Sequence, residues 1–273
     1  MAKAVRRARL DAELVRRGLA RSRDQAGELV AAGRVKVAGV VATKPATGVG
    51  ADAAIVVDTN EAGDPGYASR GAHKLIGALD AFTQDGLRVG GRRCLDAGAS
   101  TGGFTDVLLR HGAAHVIAVD VGYGQLVWAL QTDDRVTVMD RTNVRGLTLD
   151  DIGGAPVDLV VGDLSFISLT LVLPALTSVT ADDGDLMLMV KPQFEVGKER
   201  LGKGGVVRDP ELRASAVRDV AAAARELGWG IRGVTASPLP GPSGNVEYFL
   251  WMRRDAPALD ETMLAAAIEA GPQ

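Results

Sequence analysis

The sequence predicts an α/β fold in which a doubly wound, mainly parallel sheet follows a small α+β domain. Three observations lead to this prediction. Apolar strand segments alternate with helical patterns from residue 70 onward, which is typical of a parallel sheet with helices on both faces. Residues 1–48 instead show two short helical patterns followed by short alternating segments. The length of 273 residues allows one or two domains.

Two short helices followed by a small hairpin are predicted for the N-terminal segment. Apolar residues recur at helical spacing from Leu10, and Gly18 follows as a helix stop. A second helix is expected from Ser22, which begins a capping-box pattern, to Gly33. The alternation in residues 35–41 then predicts two short strands joined by a turn.

A stretch rich in Gly, Ala and Asp, residues 47–65, separates this segment from the rest of the chain. The apolar patch 54–57 within it predicts a strand that completes the first domain, and a linker follows. We therefore expect an N-terminal domain over residues 1–62 and a larger domain over residues 63–273.

The N-terminal segment is strongly basic, although the whole chain has a formal net charge of -3. Residues 1–48 carry eleven Lys and Arg against four Asp and Glu, so the acidic excess lies in the rest of the chain. A basic domain on an acidic body predicts contact with a nucleic acid. The alternative is a solvated, charged helix face. The cations predicted to reach RNA phosphates are Arg9, Arg16, Arg17, Arg21, Arg23, Arg34 and Lys36.

The larger domain alternates predicted strands and helices. Several of the strands are continuous apolar runs, as expected for strands that are covered on both faces. The last two strands are joined by a Pro- and Gly-rich loop, which indicates an antiparallel final hairpin. The predicted strands are 93–96, 115–120, 135–139, 157–162, 186–191, 233–236 and 246–252, and the predicted helices are 73–82, 103–111, 125–130, 170–176, 210–227 and 258–270.

The strongest chemical motif begins at Asp96 and runs Asp-Ala-Gly-Ala-Ser-Thr-Gly-Gly-Phe between a strand and a helix. Asp120 ends the next strand, 22 residues after Gly98. Such a loop lets the backbone approach a cofactor, and the carboxylate can bind ribose hydroxyls. The Gly98-x-x-x-Gly102 spacing differs from the dinucleotide pattern, so S-adenosylmethionine fits better than NAD. The alternative is a tight turn without a ligand.

The adenine end of such a cofactor would lie near the third strand, which Asp140 follows. An aspartate there accepts a hydrogen bond from the adenine amine or merely caps a loop, and both roles stay open at this point. The residues predicted to bind the cofactor are Asp96, Gly98, Ser100, Gly102, Phe104, Asp120 and Asp140.

Four charged residues are candidates for catalysis. Asp163 and Lys191 directly follow apolar strands, whose carboxyl ends form the ligand crevice of an open parallel sheet. A lysine after five apolar residues is costly unless it is paired or functional. Lys74 lies at the start of a predicted helix, and Glu247 lies in the last strand. The alternative is a structural Lys–Asp ion pair at the edge of the sheet.

Composition argues against several other classes of protein. Cys94 is the single cysteine, which excludes an intrachain disulfide and a Cys-rich zinc site, and the three histidines show no metal-ligand spacing. We therefore expect no metal site. No apolar run is long enough for a transmembrane helix, and no apolar segment follows the basic N-terminus as in a secretory signal. We expect a cytoplasmic protein without a membrane partner.

These motifs resemble known families. The pattern from Arg9-Leu10-Asp11 to Gly33-Arg34-Val35-Lys36-Val37 resembles the alpha-L RNA-binding motif of small-subunit ribosomal protein S-four. The order Lys-Asp-Lys-Glu around a cofactor loop resembles the tetrad of the FtsJ-like RNA ribose 2′-O-methyltransferases. With the motifs at 69–74, 163–168, 190–195 and 242–249, the whole chain looks like the TlyA (hemolysin A) family.

The resemblance implies S-adenosylmethionine-dependent 2′-O-methylation of cytidine in ribosomal RNA of the small subunit, with the large subunit as a second candidate. A ribose hydroxyl is a poor nucleophile, and a lysine beside it can remove its proton or stabilise the alkoxide. We expect Lys191 in that role and Asp163 as the group that orients it. Lys74 and Glu247 are expected to position the ribose and balance the charge.

Other functions remain to be weighed. The historical name of the family suggests a membrane-active cytolysin, but no amphipathic or spanning element stands out from the predicted core. A ribosome-assembly protein with an inactive methyltransferase fold is a second alternative, against which the four charged residues argue. Pseudouridine synthases can carry a similar N-terminal module, but the cofactor loop does not serve their chemistry.

Overall fold

The computed structural model describes residues 8–20, 23–50, 53–57 and 66–271. The chain divides into two compact units, Met1–Gly66 and Tyr67–Gln273. The domain boundary predicted after residue 62, the helix start predicted at Ser22 and the predicted RNA-binding residue Arg21 all lie outside the described residues.

The first unit contains the two predicted helices and the predicted hairpin around a small core. Leu10 and Leu14 on the first helix pack with Ala26 and Val30 on the second. A short antiparallel pair, β1 with β4, was not predicted, because strands of two residues carry no alternation that a sequence pattern could reveal. The elements are β1 (Ala8–Arg9), α1 (Leu10–Arg16), α2 (Arg23–Ala31), β2 (Val35–Val37), β3 (Val40–Val41), β4 (Gly48–Val49) and β5 (Ile55–Val57).

The second unit is a seven-stranded sheet with helices on both faces. Its elements are α3 (Ala72–Phe82), β6 (Arg93–Ala97), α4 (Gly103–Arg110), β7 (His115–Val119), α5 (Trp128–Gln131), β8 (Val136–Met139), β9 (Val157–Gly162), α6 (Leu173–Ser178), β10 (Thr180–Val190), α7 (Pro192–Glu195), α8 (Pro210–Glu226), β11 (Gly230–Ala236), β12 (Tyr248–Arg253) and α9 (Glu261–Ala270).

The strand order is β11-β12-β10-β9-β6-β7-β8. All neighbouring strands from β10 to β8 are parallel, whereas β12 runs antiparallel to both β10 and β11. The prediction of a doubly wound sheet with an antiparallel final hairpin is therefore confirmed. β10 begins at Thr180, six residues before the predicted start, because its polar first part gives no apolar signal.

Both faces of the sheet are buried, which explains the apolar runs in the sequence. Leu95 and Ile117 face one core, which α6, α8 and α9 cover, while Cys94 and Val116 face the other, which α3 and α4 cover. Within the part of the chain that the structure describes, no helix combines the length and the apolar character that a membrane crossing requires.

The direction of winding reverses between β6 and β9. The chain moves from β6 outward to β8 and then returns to β9 on the other side of β6. The amide of Asp163, just after β9, donates a hydrogen bond to the carbonyl of Ala97 at the end of β6 (3.1 Å). Ligands of open α/β sheets bind at the carboxyl ends of the strands at such a reversal. The topology therefore predicts a ligand site at the loops that follow β6 and β9.

A buried carboxylate links the two halves of the sheet far from this crevice. Asp185 on β10 is fully buried and accepts a hydrogen bond from the indole nitrogen of Trp251 on β12 (2.6 Å). Its other oxygen lies 2.5 Å from the guanidinium of Arg92, which precedes β6. Removing Asp185 would leave the buried indole N–H and the guanidinium of Arg92 without the carboxylate that they share.

We expect Asp185→Ala to lower the free energy of unfolding by about 3 kcal/mol, because a largely buried guanidinium and an indole N–H lose the carboxylate that binds them. The matched control is Asp182→Ala on the same strand, where a carboxylate that is 93% exposed pairs with Arg254. The control should cost less than about 1 kcal/mol. Urea denaturation followed by circular dichroism measures both, and equal effects would contradict the role given to Asp185.

Candidate active site

The loop after β6 is shaped by residues in the left-handed backbone region. Gly98 has φ +88°, Ser100 has φ +47° and Gly102 has φ +99°. A Cβ on Gly98 would lie 3.1 Å from the carbonyl oxygen of Asp163, so the missing side chain lets this loop pack against the end of β9. A Cβ on Gly102 would collide with the side chain of Leu130. The positive φ angles favour glycine at both positions, and the close neighbours add to the cost of a side chain there.

Two aspartates predicted to bind a cofactor hold the backbone of this edge. The carboxylate of Asp120 accepts hydrogen bonds from the amides of Ser100 (2.8 Å) and Gly122 (2.7 Å). Asp140 accepts a hydrogen bond from the amide of Gly124 (2.8 Å). Asp140 thus holds the loop that contains Gly124, and its carboxylate keeps further lone pairs. Both carboxylates are half-buried, and Ser100 is exposed beside them.

Two other predicted cofactor-binding residues have their side chains in the interior. Asp96 is fully buried, and its carboxyl accepts a hydrogen bond from the hydroxyl of Thr105 on α4 (2.7 Å). Burial raises the pKa of Asp96 to about 7. Phe104 is also buried and packs against Phe249 with 6.0 Å between the ring centroids. Ser100 is exposed, whereas the side chains of Asp96 and Phe104 are buried and contribute to packing at the start of α4.

The four predicted catalytic residues meet in one continuous chain of ion pairs. Lys191 Nζ lies 2.6 Å from Asp163 Oδ1. Lys74 Nζ lies 3.5 Å from Asp163 Oδ2 and 2.6 Å from Glu247 Oε2. The two carboxylates therefore neutralise the two ammonium groups. The group lies next to the loop that follows β6, since Gly98 packs directly against Asp163.

Burial makes this arrangement depend on its internal pairing. Lys74 is 8% exposed, Lys191 is 6% exposed and Glu247 is 1% exposed. The residues come from the first turn of α3, the ends of β9 and β10, and the position just before β12. An unpaired charge at such a depth would cost several kcal/mol. Asp163 is half-buried and is the most open of the four.

The structure adds three neighbours that were not predicted from the sequence. Lys191 Nζ donates a hydrogen bond to Ser165 Oγ (2.8 Å). Phe166 is 91% exposed and has φ +63°, and its ring centroid lies 5.3 Å from that of Phe194. The ammonium of Lys191 lies 5.9 Å from the Phe194 ring centroid. An exposed phenylalanine in a left-handed conformation is unfavourable by itself, which marks the position as functionally interesting. Both aromatic residues belong to sequence motifs already noted, at 163–168 and 190–195.

The predicted RNA-binding cations of the first unit divide into two groups. Arg9, Arg16 and Arg23 keep more than half of their side chains exposed while pairing with carboxylates of α1. Arg17 is 22% exposed and donates to the carbonyl oxygen of Ala53 (2.7 Å), so it ties parts of the unit together. Of the remaining predictions within the described residues, Arg34 is half-buried and Lys36 is exposed.

Comparison with known proteins identifies both units. The FtsJ-like methyltransferase family model matches residues 67–254, and an S4 domain model matches residues 8–55. The 16S/23S rRNA (cytidine-2′-O)-methyltransferase TlyA of Mycobacterium tuberculosis is 61% identical over 264 residues, which cover 97% of this chain and 95% of that protein. The 23S rRNA (cytidine-2′-O)-methyltransferase TlyA of Campylobacter jejuni is 35% identical and covers 68% of this chain and 70% of that protein.

A solved structure points to the same family. A protein from Streptococcus thermophilus described as a hemolysin superposes with a TM-score of 0.75 at 36% identity, and the match covers 97% of both chains. The methyltransferase match, the relative of 61% identity and the S4 match agree with the resemblance found in the sequence motifs. The chain therefore belongs to the TlyA family of FtsJ-like methyltransferases and carries an S4 domain at its N-terminal end.

Proposed function

We propose that this enzyme transfers a methyl group from S-adenosylmethionine to the 2′-hydroxyl of cytidine in ribosomal RNA. The observation that carries the proposal is the position of Lys191 Nζ, which Asp163 and Ser165 hold beside the loop that follows β6. The relatives named as cytidine-2′-O-methyltransferases support the choice of nucleoside. We propose the small-subunit RNA as the substrate, with the large-subunit RNA as a second candidate.

The residues at the switch point fit S-adenosylmethionine. Gly98 lets the loop after β6 pack against the end of β9, and Ser100 on the same loop is exposed. Each oxygen of Asp120 accepts one backbone hydrogen bond and keeps a second lone pair, with which the carboxylate would hold the ribose hydroxyls of the cofactor. Asp140 would accept from the adenine amine in the same way. When bound, the cofactor supplies an electrophilic methyl group on a positively charged sulfur.

Lys191 would activate the ribose hydroxyl of the RNA. The hydroxyl becomes a strong nucleophile only as its proton leaves. After Lys191 Nζ has released one proton to solvent, the neutral amine would accept the hydroxyl proton, and the ammonium group so formed would lower the energy of the developing alkoxide. Asp163 and Ser165 occupy two positions around Lys191 Nζ, which leaves a third position on the nitrogen for the ribose oxygen. Fixing the amine in this way saves the cost of orienting a long side chain during the reaction.

Lys74 and Glu247 would keep this machinery in place. Glu247 is 1% exposed, which favours a role in balancing charge over a direct contact with the ribose. We propose that Glu247 acts through Lys74, whose ammonium also faces the outer oxygen of Asp163. Lys74 in turn keeps the Asp163 carboxylate directed towards Lys191.

Phe166 would provide a surface for the target base. Phe166 directly follows Ser165, which accepts the hydrogen bond from Lys191, and its exposed ring packs against Phe194. Proteins that act on single nucleotides in RNA stack unpaired bases on aromatic rings. Stacking at Phe166 would hold the cytidine while its ribose reaches Lys191.

The S4 domain would deliver the RNA. Its exposed cations, Arg9, Arg16, Arg23 and Lys36, are suited to contact phosphates, which fix the position of an RNA without reading its sequence. The proposed partner is therefore structured ribosomal RNA, either alone or within a ribosomal subunit.

The proposed function is tested by methyl transfer from labelled S-adenosylmethionine to purified small and large ribosomal subunits that lack the modification. We expect label in the ribose of a cytidine, mapped by nuclease digestion and mass spectrometry. Label on a base, or in protein only, would contradict the proposal.

Replacing Lys191 by Ala should lower the single-turnover methyl-transfer rate by at least about a thousandfold, because the amine that activates the hydroxyl is lost. The binding of S-adenosylmethionine, measured by calorimetry, should persist within a few fold. Lys191→Arg is the companion variant, since it keeps the charge but cannot accept a proton. Full activity of Lys191→Ala would remove this residue from the mechanism.

Phe166→Ala should lower kcat/KM for ribosomal RNA by about tenfold to a hundredfold, which corresponds to the loss of one stacked base. Phe166→Tyr keeps the ring and serves as the control, with activity close to that of the parent protein. Steady-state kinetics on purified subunits give both values. If the Ala and Tyr variants are equally active, the base does not stack on this residue.

A further inference from the structure

We infer that Asp11 is a positioning residue for RNA binding, which holds the guanidinium groups of Arg9 and Arg23 ready to contact phosphates. The inference rests on the proposed function, because it concerns how the S4 domain would grip ribosomal RNA. It gives an acidic residue a favourable role in binding a polyanion.

The geometry around Asp11 joins two separate parts of the S4 domain. Arg9 lies just before α1 and donates two hydrogen bonds to the carboxylate of Asp11. One runs from Nε to Oδ1 (3.1 Å) and the other from a terminal nitrogen to Oδ2 (2.8 Å). Arg23 begins α2 and donates to the same Oδ2 (3.0 Å). A two-pronged contact of this kind fixes the plane of a guanidinium as well as its position.

Burial within this cluster is uneven. The side chain of Asp11 is 6% exposed, whereas those of Arg9 and Arg23 are 53% and 59% exposed. The carboxylate is therefore withdrawn from solvent, whereas the two positively charged side chains that contact it remain largely exposed. The hydrogen bond from Arg9 holds the pKa of Asp11 well below its usual value, so the carboxylate stays ionised at neutral pH.

A second carboxylate of α1 differs in its partners. Glu13 binds Arg16 and Arg17 at 2.6 and 2.7 Å. Arg17, however, is largely covered and contacts the carbonyl oxygen of Ala53, so a change at Glu13 would disturb the fold of the domain as well as its surface. Asp11 also accepts a hydrogen bond from the amide of Ala12 (2.8 Å), which the Oδ1 of an asparagine could keep, and both of its arginine partners are largely exposed. Asp11 is therefore the cleaner position for a test.

Two physical effects predict opposite outcomes when Asp11 is neutralised. Coulomb attraction alone predicts tighter RNA binding, because one negative charge leaves the surface. Pre-organisation predicts weaker binding, because free arginine side chains lose rotamer entropy when they engage phosphates. The sign of the change therefore separates the two.

The test compares Asp11→Asn with Glu28→Gln in the full chain, using purified small-subunit ribosomal RNA in filter-binding assays over a range of salt concentrations. Glu28 is exposed on α2, so its substitution changes the charge of the same domain equally. We expect Asp11→Asn to weaken binding by about three- to tenfold and Glu28→Gln to leave it equal or tighter. The salt dependence of Asp11→Asn should match that of the parent, because every cation is kept.

The double variant Arg9→Gln, Arg23→Gln separates this inference from the proposed function. It should weaken binding and reduce the salt slope by about one to two. Adding Asp11→Asn to it should cause no further loss, since Asp11 acts through these arginines. If the arginine variant binds RNA normally, the proposed RNA contact itself fails. If it binds weakly while Asp11→Asn binds as tightly as the parent, the positioning role alone is overturned.

Thermal unfolding of each variant controls for loss of structure. If the Asp11→Asn variant is unfolded, the Arg9→Lys variant is tested instead. Lysine keeps the positive charge but lacks the planar pair of N–H donors that matches a carboxylate. The inference expects the same weakened affinity with an unchanged salt slope. Parent-like affinity of Arg9→Lys would overturn it.

Discussion

The site depends on the sharing of one carboxylate between two buried lysines. Asp163 contacts Lys191 with one oxygen and Lys74 with the other, and Glu247 supplies the remaining negative charge. Two ammonium groups at such depth are stable only when they are neutralised nearby. The pairing also fixes the direction of each amine, so the contacts that satisfy the electrostatic requirement of burial are the same ones that would orient the proposed catalytic amine.

The sheet creates the place where this is possible. Reversal of the winding between β6 and β9 opens a crevice, and Gly98 lets the loop after β6 close on the carbonyl of Asp163. Asp120 holds the same loop from the end of β7. The proposed cofactor site and the lysine site are therefore neighbours because the loops at two adjacent strand ends are packed together. A change in either loop is transmitted to the other through contacts between backbone atoms.

A related principle organises the S4 domain. The carboxylates of Asp11 and Glu13 each bind two arginines, which turns flexible cations into a defined surface. In the larger unit carboxylates direct lysines, and in the smaller one they direct arginines. In both units the acidic residues offset positive charge and also fix the positions of the cationic groups that they bind.

The sequence by itself determined most of the longer strands and helices, the glycine loop and the four charged residues, because periodicity, turn chemistry and charge after apolar runs are local signals. The two-residue strands β1 and β4, the polar first part of β10 and the short helix α7 carry no such signal. Their pairing was decided by the tertiary structure, since Lys74 lies 89 residues from Asp163 and 173 residues from Glu247. The same holds for the burial of Asp96 and Phe104 and the exposure of Phe166. Whether a side chain faces the core or the crevice depends on neighbours from distant strands, and no local pattern records them.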